Sequence, residues 1–83
     1  MNAIQNAGPF TITTGLYSGH EYIYVTHRES GKQWMSKDRA SPSQDMSYLA
    51  LNIEMGITKF DHTAIARSCD SRFWMPVNKQ KHL

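Results

Sequence analysis

The stretch "SPSQDMSYLALNIEMG", residues 41 to 56, constrains the fold more than any other part of the chain. Ser41 suits an N-cap, Pro42 the first helical position, and Gln44 stands three residues beyond the cap, as a capping box requires. Gly56 supplies a C′ stop, because a glycine takes the left-handed conformation that ends many helices. Between them Met46, Leu49, Ala50 and Ile53 recur at i, i+3, i+4 and i+7, which makes one buried face. The spacing predicts one main α-helix over about residues 42–55. Tyr48, Leu51 and Met55 form an adjoining apolar stripe. Either the carboxy-terminal segment packs on that stripe or it is an oligomer surface, a route to a homodimer.

The residues around this helix read as strands. Gly8-Pro9 punctuates the chain, so residues 1–9 are expected to form a loose arm. "FTITTGLY" then alternates threonine with apolar residues, and "HEYIYVTHR" is dense in tyrosine and β-branched residues, the composition a half-buried strand favours. "QWMSK" follows as a return strand. "RFWMPV" reads as a last strand, with Pro76 confining it to an edge. Residues 61–68 fit a strand or a short helix, with the alternation of Thr63, Ile65 and Arg67 favouring a strand. "NKQKHL", residues 78–83, reads as a polar tail. The expected architecture is a single α+β domain spanning residues 1–83, a small antiparallel sheet of three to five strands packed on one helix.

The hairpin "EYIYVTHRESGKQWMSK" has two candidate registers. A two-residue loop at Ser30-Gly31 pairs Arg28 with Gln33, Thr26 with Met35 and Tyr24 with Lys37. Ile23, Val25, His27 and Trp34 then share a core face, and Tyr22, Tyr24, Arg28, Met35, Lys37 and Arg39 share the opposite one. A longer loop with Gly31 in a left-handed bulge shifts the pairing by one and sends the tyrosines inward with Trp34. The first register gathers the aliphatic residues and the tryptophan on one side, which favours it. Its outer face combines tyrosines that can stack with cations that can neutralise phosphate, and the same residue types dominate protein interfaces. Trp74, in "RFWMPV", is either core or a partner anchor.

Residues 16–55, "LYSGHEYIYVTHRESGKQWMSKDRASPSQDMSYLALNIEM", resemble the small arm-binding domain of tyrosine recombinases. The resemblance rests on Leu16-Tyr17, Tyr22, Tyr24, Arg28, Gly31-Lys32, Asp38-Arg39 and Asn52-Ile53-Glu54. It implies three strands followed by a helix, and a sheet that contacts DNA.

Composition narrows the chemistry. In 83 residues with a formal net charge of +2, the basic excess is smaller than dedicated DNA binders usually carry. The single cysteine, Cys69, excludes an internal disulfide framework and suits a reducing cytoplasm. His20 and His27 fall on opposite faces of their strand, a poor arrangement for joint metal ligation. The glycines make no phosphate loop, and the acids form no recognisable catalytic pair. No apolar run reaches the 18 or so residues that a membrane span needs, nor is there a signal-peptide pattern at the amino terminus. We therefore expect a cytoplasmic, non-enzymatic protein without cofactor or metal, acting stoichiometrically on a protein partner. Short accessory or inhibitor proteins of phages and mobile elements are the comparison, on size and lack of motifs alone. DNA binding through the sheet is the alternative.

Overall fold

The computed structural model describes residues 4–40, 46–63 and 72–77. Five strands, β1 (Ile4–Ala7), β2 (Phe10–Tyr17), β3 (His20–His27), β4 (Gln33–Ser36) and β5 (Trp74–Val77), form one antiparallel sheet in the order β1-β2-β3-β4-β5, and one helix, α1 (Met46–Glu54), lies between β4 and β5 in sequence. The domain is of the small α+β type, dominated by its sheet.

The first connection differs from the expected loose arm. Ile4–Ala7 pairs with β2, Ala7 opposite Phe10, and Gly8-Pro9 is the two-residue turn between them. Gly8 sits at φ +57° and proline fixes the next φ negative, the combination of a type II′ hairpin turn. At the β2–β3 turn, Ser18 and Gly19 both have positive φ, as a type I′ turn demands.

The β3–β4 hairpin corrects both registers. Thr26 pairs with Gln33, Val25 with Trp34 and Tyr24 with Met35. Relative to the two-residue loop, which would set Thr26 against Met35, the pairing slides by two residues. Arg28 to Gly31 form the loop, closed by His27 N–H to Lys32 O at 2.8 Å and Gly31 N–H to His27 O at 2.8 Å. Only Gly31, at φ +77°, adopts a left-handed backbone there, whereas a type I′ loop at Ser30-Gly31 would force Ser30 into that region too. A slide of two preserves the side-chain alternation, so Ile23, Val25, His27 and Trp34 do share the core face.

Helix α1 ends as Gly56 implies. Gly56, at φ +78°, donates to Ile53 O at 3.1 Å, and Ile57 donates to Asn52 O at 2.9 Å, the paired bonds of a Schellman motif. The N-terminal capping residues 41–45 lie outside the described residues. Met46, Leu49, Ala50 and Ile53 pack on the core, with α1 lying against β1. Beyond the helix, Phe60 reaches back onto the sheet, its ring 5.1 Å from Trp34, 5.2 Å from Trp74 and 6.0 Å from Phe10. The core face is thus covered by α1 near β1 and by Phe60 near β4 and β5. Trp34, Ile12, Ile23 and Val25 are buried completely at its centre. Each contributes about 1.5–3 kcal/mol through the area it removes from water. Residues 61–63 form a turn, neither strand nor helix; residues 64–68 lie outside the described residues, as do 78–83 and Cys69.

Candidate functional site

The second face of the sheet is built from alternate residues whose neighbours in sequence fill the core. Thr11, Thr13, Gly15 and Tyr17 of β2 lie there beside Thr26, Tyr24, Tyr22 and His20 of β3. Gln33 and Met35 of β4, Met75 and Val77 of β5, and Ile4 and Asn6 of β1 extend it. No Asp, Glu, Lys or Arg side chain falls on this face within the five strands.

Its centre is a tyrosine cluster. Tyr17 and Tyr22 meet edge to face, centroids 6.1 Å apart. Tyr24 lies across Gly15, where a Cβ would stand 3.1 Å from its Cε2; the missing side chain makes room for the ring. Burial raises the Tyr24 phenol above its usual pKa, with the neighbouring Tyr17 and Tyr22 adding to the effect. Tyr24 therefore stays a neutral hydroxyl that can donate or accept. Tyr17 is 58% exposed and Tyr22 and Tyr24 are half-buried, whereas Met35 is 5% exposed and forms floor between its cross-strand neighbours.

The three expected cations divide. Arg28 is not a strand residue. Its guanidinium donates to Gly8 O, to Phe10 O at 2.8 Å, to Thr11 Oγ1 at 3.1 Å and to Asn6 Oδ1 at 3.3 Å. It clamps the β1–β2 turn at one end of the second face. Lys37 and Arg39 are exposed beyond the end of β4, where Lys37 N–H to Phe73 O and Ala40 N–H to Glu21 O, at 2.8 and 2.7 Å, hold the backbone. Arg39 donates to His20 Nδ1 at 3.2 Å, close to Tyr17.

Trp74 is not a surface anchor. It is 8% exposed and packs edge to face on Phe60. Its neighbours Phe73 and Met75 are the exposed ones, and Arg72 lies 5.3 Å from the Phe73 ring centre. Ser36, Asp38, Arg39, Phe73 and Trp74 line a cavity of about 220 Å³ at this end of the sheet. On α1 the second stripe is exposed: Tyr48 and Met55 are about two-thirds accessible and Leu51 about half. Of Thr13, Tyr17 and Phe73, only Thr13 has no place in the expectations from sequence, although the alternation of "FTITTGLY" signals it; Tyr17 stands there in the recombinase resemblance and Phe73 within "RFWMPV".

Among the described residues no group of three or more His, Cys, Asp or Glu side chains converges as a metal site would require, and no described helix is long and apolar enough to cross a membrane. No family model, no curated protein and no solved structure matches this chain.

Proposed function

We propose that this protein is a non-enzymatic binding protein that engages a protein partner stoichiometrically through the second face of its sheet, centred on Tyr17, Tyr22 and Tyr24. The observation that carries the reading is the chemistry of that face. Its strands present tyrosine and threonine without a formal charge. Tyrosine gives a large contact area at low entropic cost, with a hydroxyl left to hydrogen-bond, which suits a protein surface better than a phosphate backbone. Twenty-eight strand residues, at about 4.8 by 3.3 Å each, make a face of roughly 450 Å². A stable complex covers about 800 Å² per partner, so rim residues such as Lys37 and Arg39 would join the contact. A cytoplasmic location, in the style of a small accessory or inhibitor protein, belongs to the same proposal.

DNA binding is the second reading, supported by the exposed Lys37 and Arg39 near this face and by the order of β2, β3, β4 and α1, three strands and then a helix. Association of two copies through Tyr48, Leu51 and Met55 would use a different surface. One set of variants separates the three. A partner recovered from native lysate by the full chain should bind Tyr22→Ala at least about tenfold more weakly, and Leu51→Glu equally well, because a central aromatic contact carries about 2 kcal/mol. Undiminished binding by Tyr22→Ala in a folded protein rejects the tyrosine face. Duplex DNA affinity that falls steeply with salt, and falls further in Lys37→Ala, supports the second reading. Concentration-dependent dimerisation abolished by Leu51→Glu supports the third.

A further inference from the structure

His27, at the end of β3, and His62, in the turn after Phe60, lie ring on ring. Their planes are 9° apart and their centroids 3.7 Å apart. Phe10 meets both at its edge, 5.3 Å from His27 and 6.5 Å from His62. His27 is 4% exposed. Its Nδ1 receives the Ser30 N–H at 3.2 Å and stands 2.8 Å from Ser30 Oγ. A backbone N–H can only donate, so Nδ1 must carry a lone pair, which makes the ring neutral with its proton on Nε2. The Ser30 hydroxyl oxygen accepts from Lys32 N–H at 3.2 Å, leaving its own proton for Nδ1. Lys32 Nζ donates to His62 O at 2.7 Å and ties the two segments a second time.

The charges around His27 come from both sides of the stack. The β3–β4 loop contributes Arg28 and Lys32, which oppose a positive ring, and Glu29, which favours one. The segment after the helix contributes His62 itself; the carboxylate of the adjacent Asp61 is engaged within that segment, accepting from Thr63 N–H at 2.9 Å and Thr63 Oγ1 at 2.6 Å. β2 contributes only the Phe10 ring.

We propose that the His27–His62 stack is a proton-sensitive latch, holding residues 57–63 and the Phe60 side chain on the core at neutral pH and releasing them on acidification. A proton on Nδ1 would point at the Ser30 N–H, donor against donor, and the cap on the ring would be lost. A positive His27 ring would also lie plane on plane, at 3.7 Å, with the His62 ring that opposes its charge. The segment then lifts away from Trp34 and Trp74, while the ladders of β1 to β4, which use none of these groups, remain. Burial first, and then the His62 charge, lowers the His27 pKa, which agrees in sign. Opening returns His27 to water, where it titrates near 6.5, so the opening constant rises by up to about tenfold per pH unit below that value until the closed ring itself takes the proton. The device is a local opening and is independent of what the tyrosine face binds.

Amide hydrogen exchange of the full chain, read by NMR at pH 7.5, 6.5 and 5.5 and corrected for intrinsic rates, tests it. Protection at residues 58–63 should fall by up to about tenfold per unit below pH 6.5, while Ile12, Ile23 and Val25 keep theirs. His27→Asn, which retains an acceptor near Nδ1 but cannot titrate, should abolish the pH dependence. Should that variant not fold, His62→Phe keeps the stack on a partly exposed position and should move the His27 ring titration to higher pH. Equal loss of protection in His27→Asn and the native chain, loss at 58–63 and in β2 and β3 in step, or an unmoved His27 titration in His62→Phe would each overturn the latch.

Discussion

The two faces of this sheet carry comparable aromatic weight and use it in opposite ways. On the core face Phe10, Trp34, Phe60 and Trp74 meet each other at 5.1 to 6.1 Å, edge-on or tilted, and all four are buried. On the second face Tyr17, Tyr22 and Tyr24 meet only partially and keep their hydroxyls. The difference lies in timing: the first set releases its burial energy during folding, whereas the second retains part of it for a later contact. The sharpest challenge to that division is a pair of truncations. Phe60→Ala should destabilise the fold by about 3–5 kcal/mol, since a core phenylalanine leaves a cavity bounded by two tryptophans. Tyr22→Ala should cost under about 1.5 kcal/mol in the same denaturant titration, the half-buried ring having less to lose. Comparable costs would mean that the second face is core as well.

Arg28 lies between the two regimes. By its place in the sequence it groups with the tyrosines as a contact, yet its bonds hold the Gly8-Pro9 turn and the start of β2. Arg28→Ala should lower stability by about 1–2 kcal/mol, as loss of several partly solvated hydrogen bonds to a charged group implies. Arg28→Lys should recover little, because one ammonium cannot reproduce the planar fork. If Arg28→Ala leaves the melting temperature unchanged, the cation is available to a partner after all.

The legibility of the fold follows the range of the interactions involved. Helix α1 could be read because its determinants are local: an i, i+3, i+4, i+7 face and a glycine at C′ that makes the expected terminal bonds. The assignment of Ile23, Val25, His27 and Trp34 to one face could be read because alternation survives a slide of two, although the register itself could not. Its four-residue loop is closed by backbone bonds, His27 N–H to Lys32 O and Gly31 N–H to His27 O, which the Ser30-Gly31 pair does not announce. β1 was invisible because Gln5, Asn6 and Ala7 have poor strand propensity and are held by pairing with β2. The burial of Trp74 and the meeting of His27 with His62 depend on where the chain returns after the helix, a tertiary fact.

Gly15 allows a finer cut at the second face. Gly15→Ala puts a methyl 3.1 Å from the Tyr24 ring, which must tilt outward by a few tenths of an ångström. The backbone itself gains, since alanine loses less conformational entropy than glycine by about 0.5–1 kcal/mol. The two effects should nearly cancel in stability, within about 1 kcal/mol, while the ring displacement should shift the Tyr17, Tyr22 and Tyr24 ring resonances and weaken partner binding. Stability and binding that both remain unchanged would show that Tyr24's position is not what the face depends on.

The smallest effect lies at the β2–β3 turn, at the tyrosine end of the sheet. Ser18 is the sole non-glycine residue with positive φ among the described residues, at +54°, and Gly19 follows at +82°. Asn-Gly is the preferred pair for such a turn because asparagine tolerates the left-handed region better than serine does. Ser18 makes no described side-chain hydrogen bond that the change would remove. Ser18→Asn should therefore raise stability by about 0.5 kcal/mol, read as a small upward shift in denaturant midpoint with an unchanged slope. Because the turn joins Tyr17 to His20, any accompanying change in partner affinity would show that the second face owes its shape to this corner, and no change would confine its shape to the ring packing over Gly15.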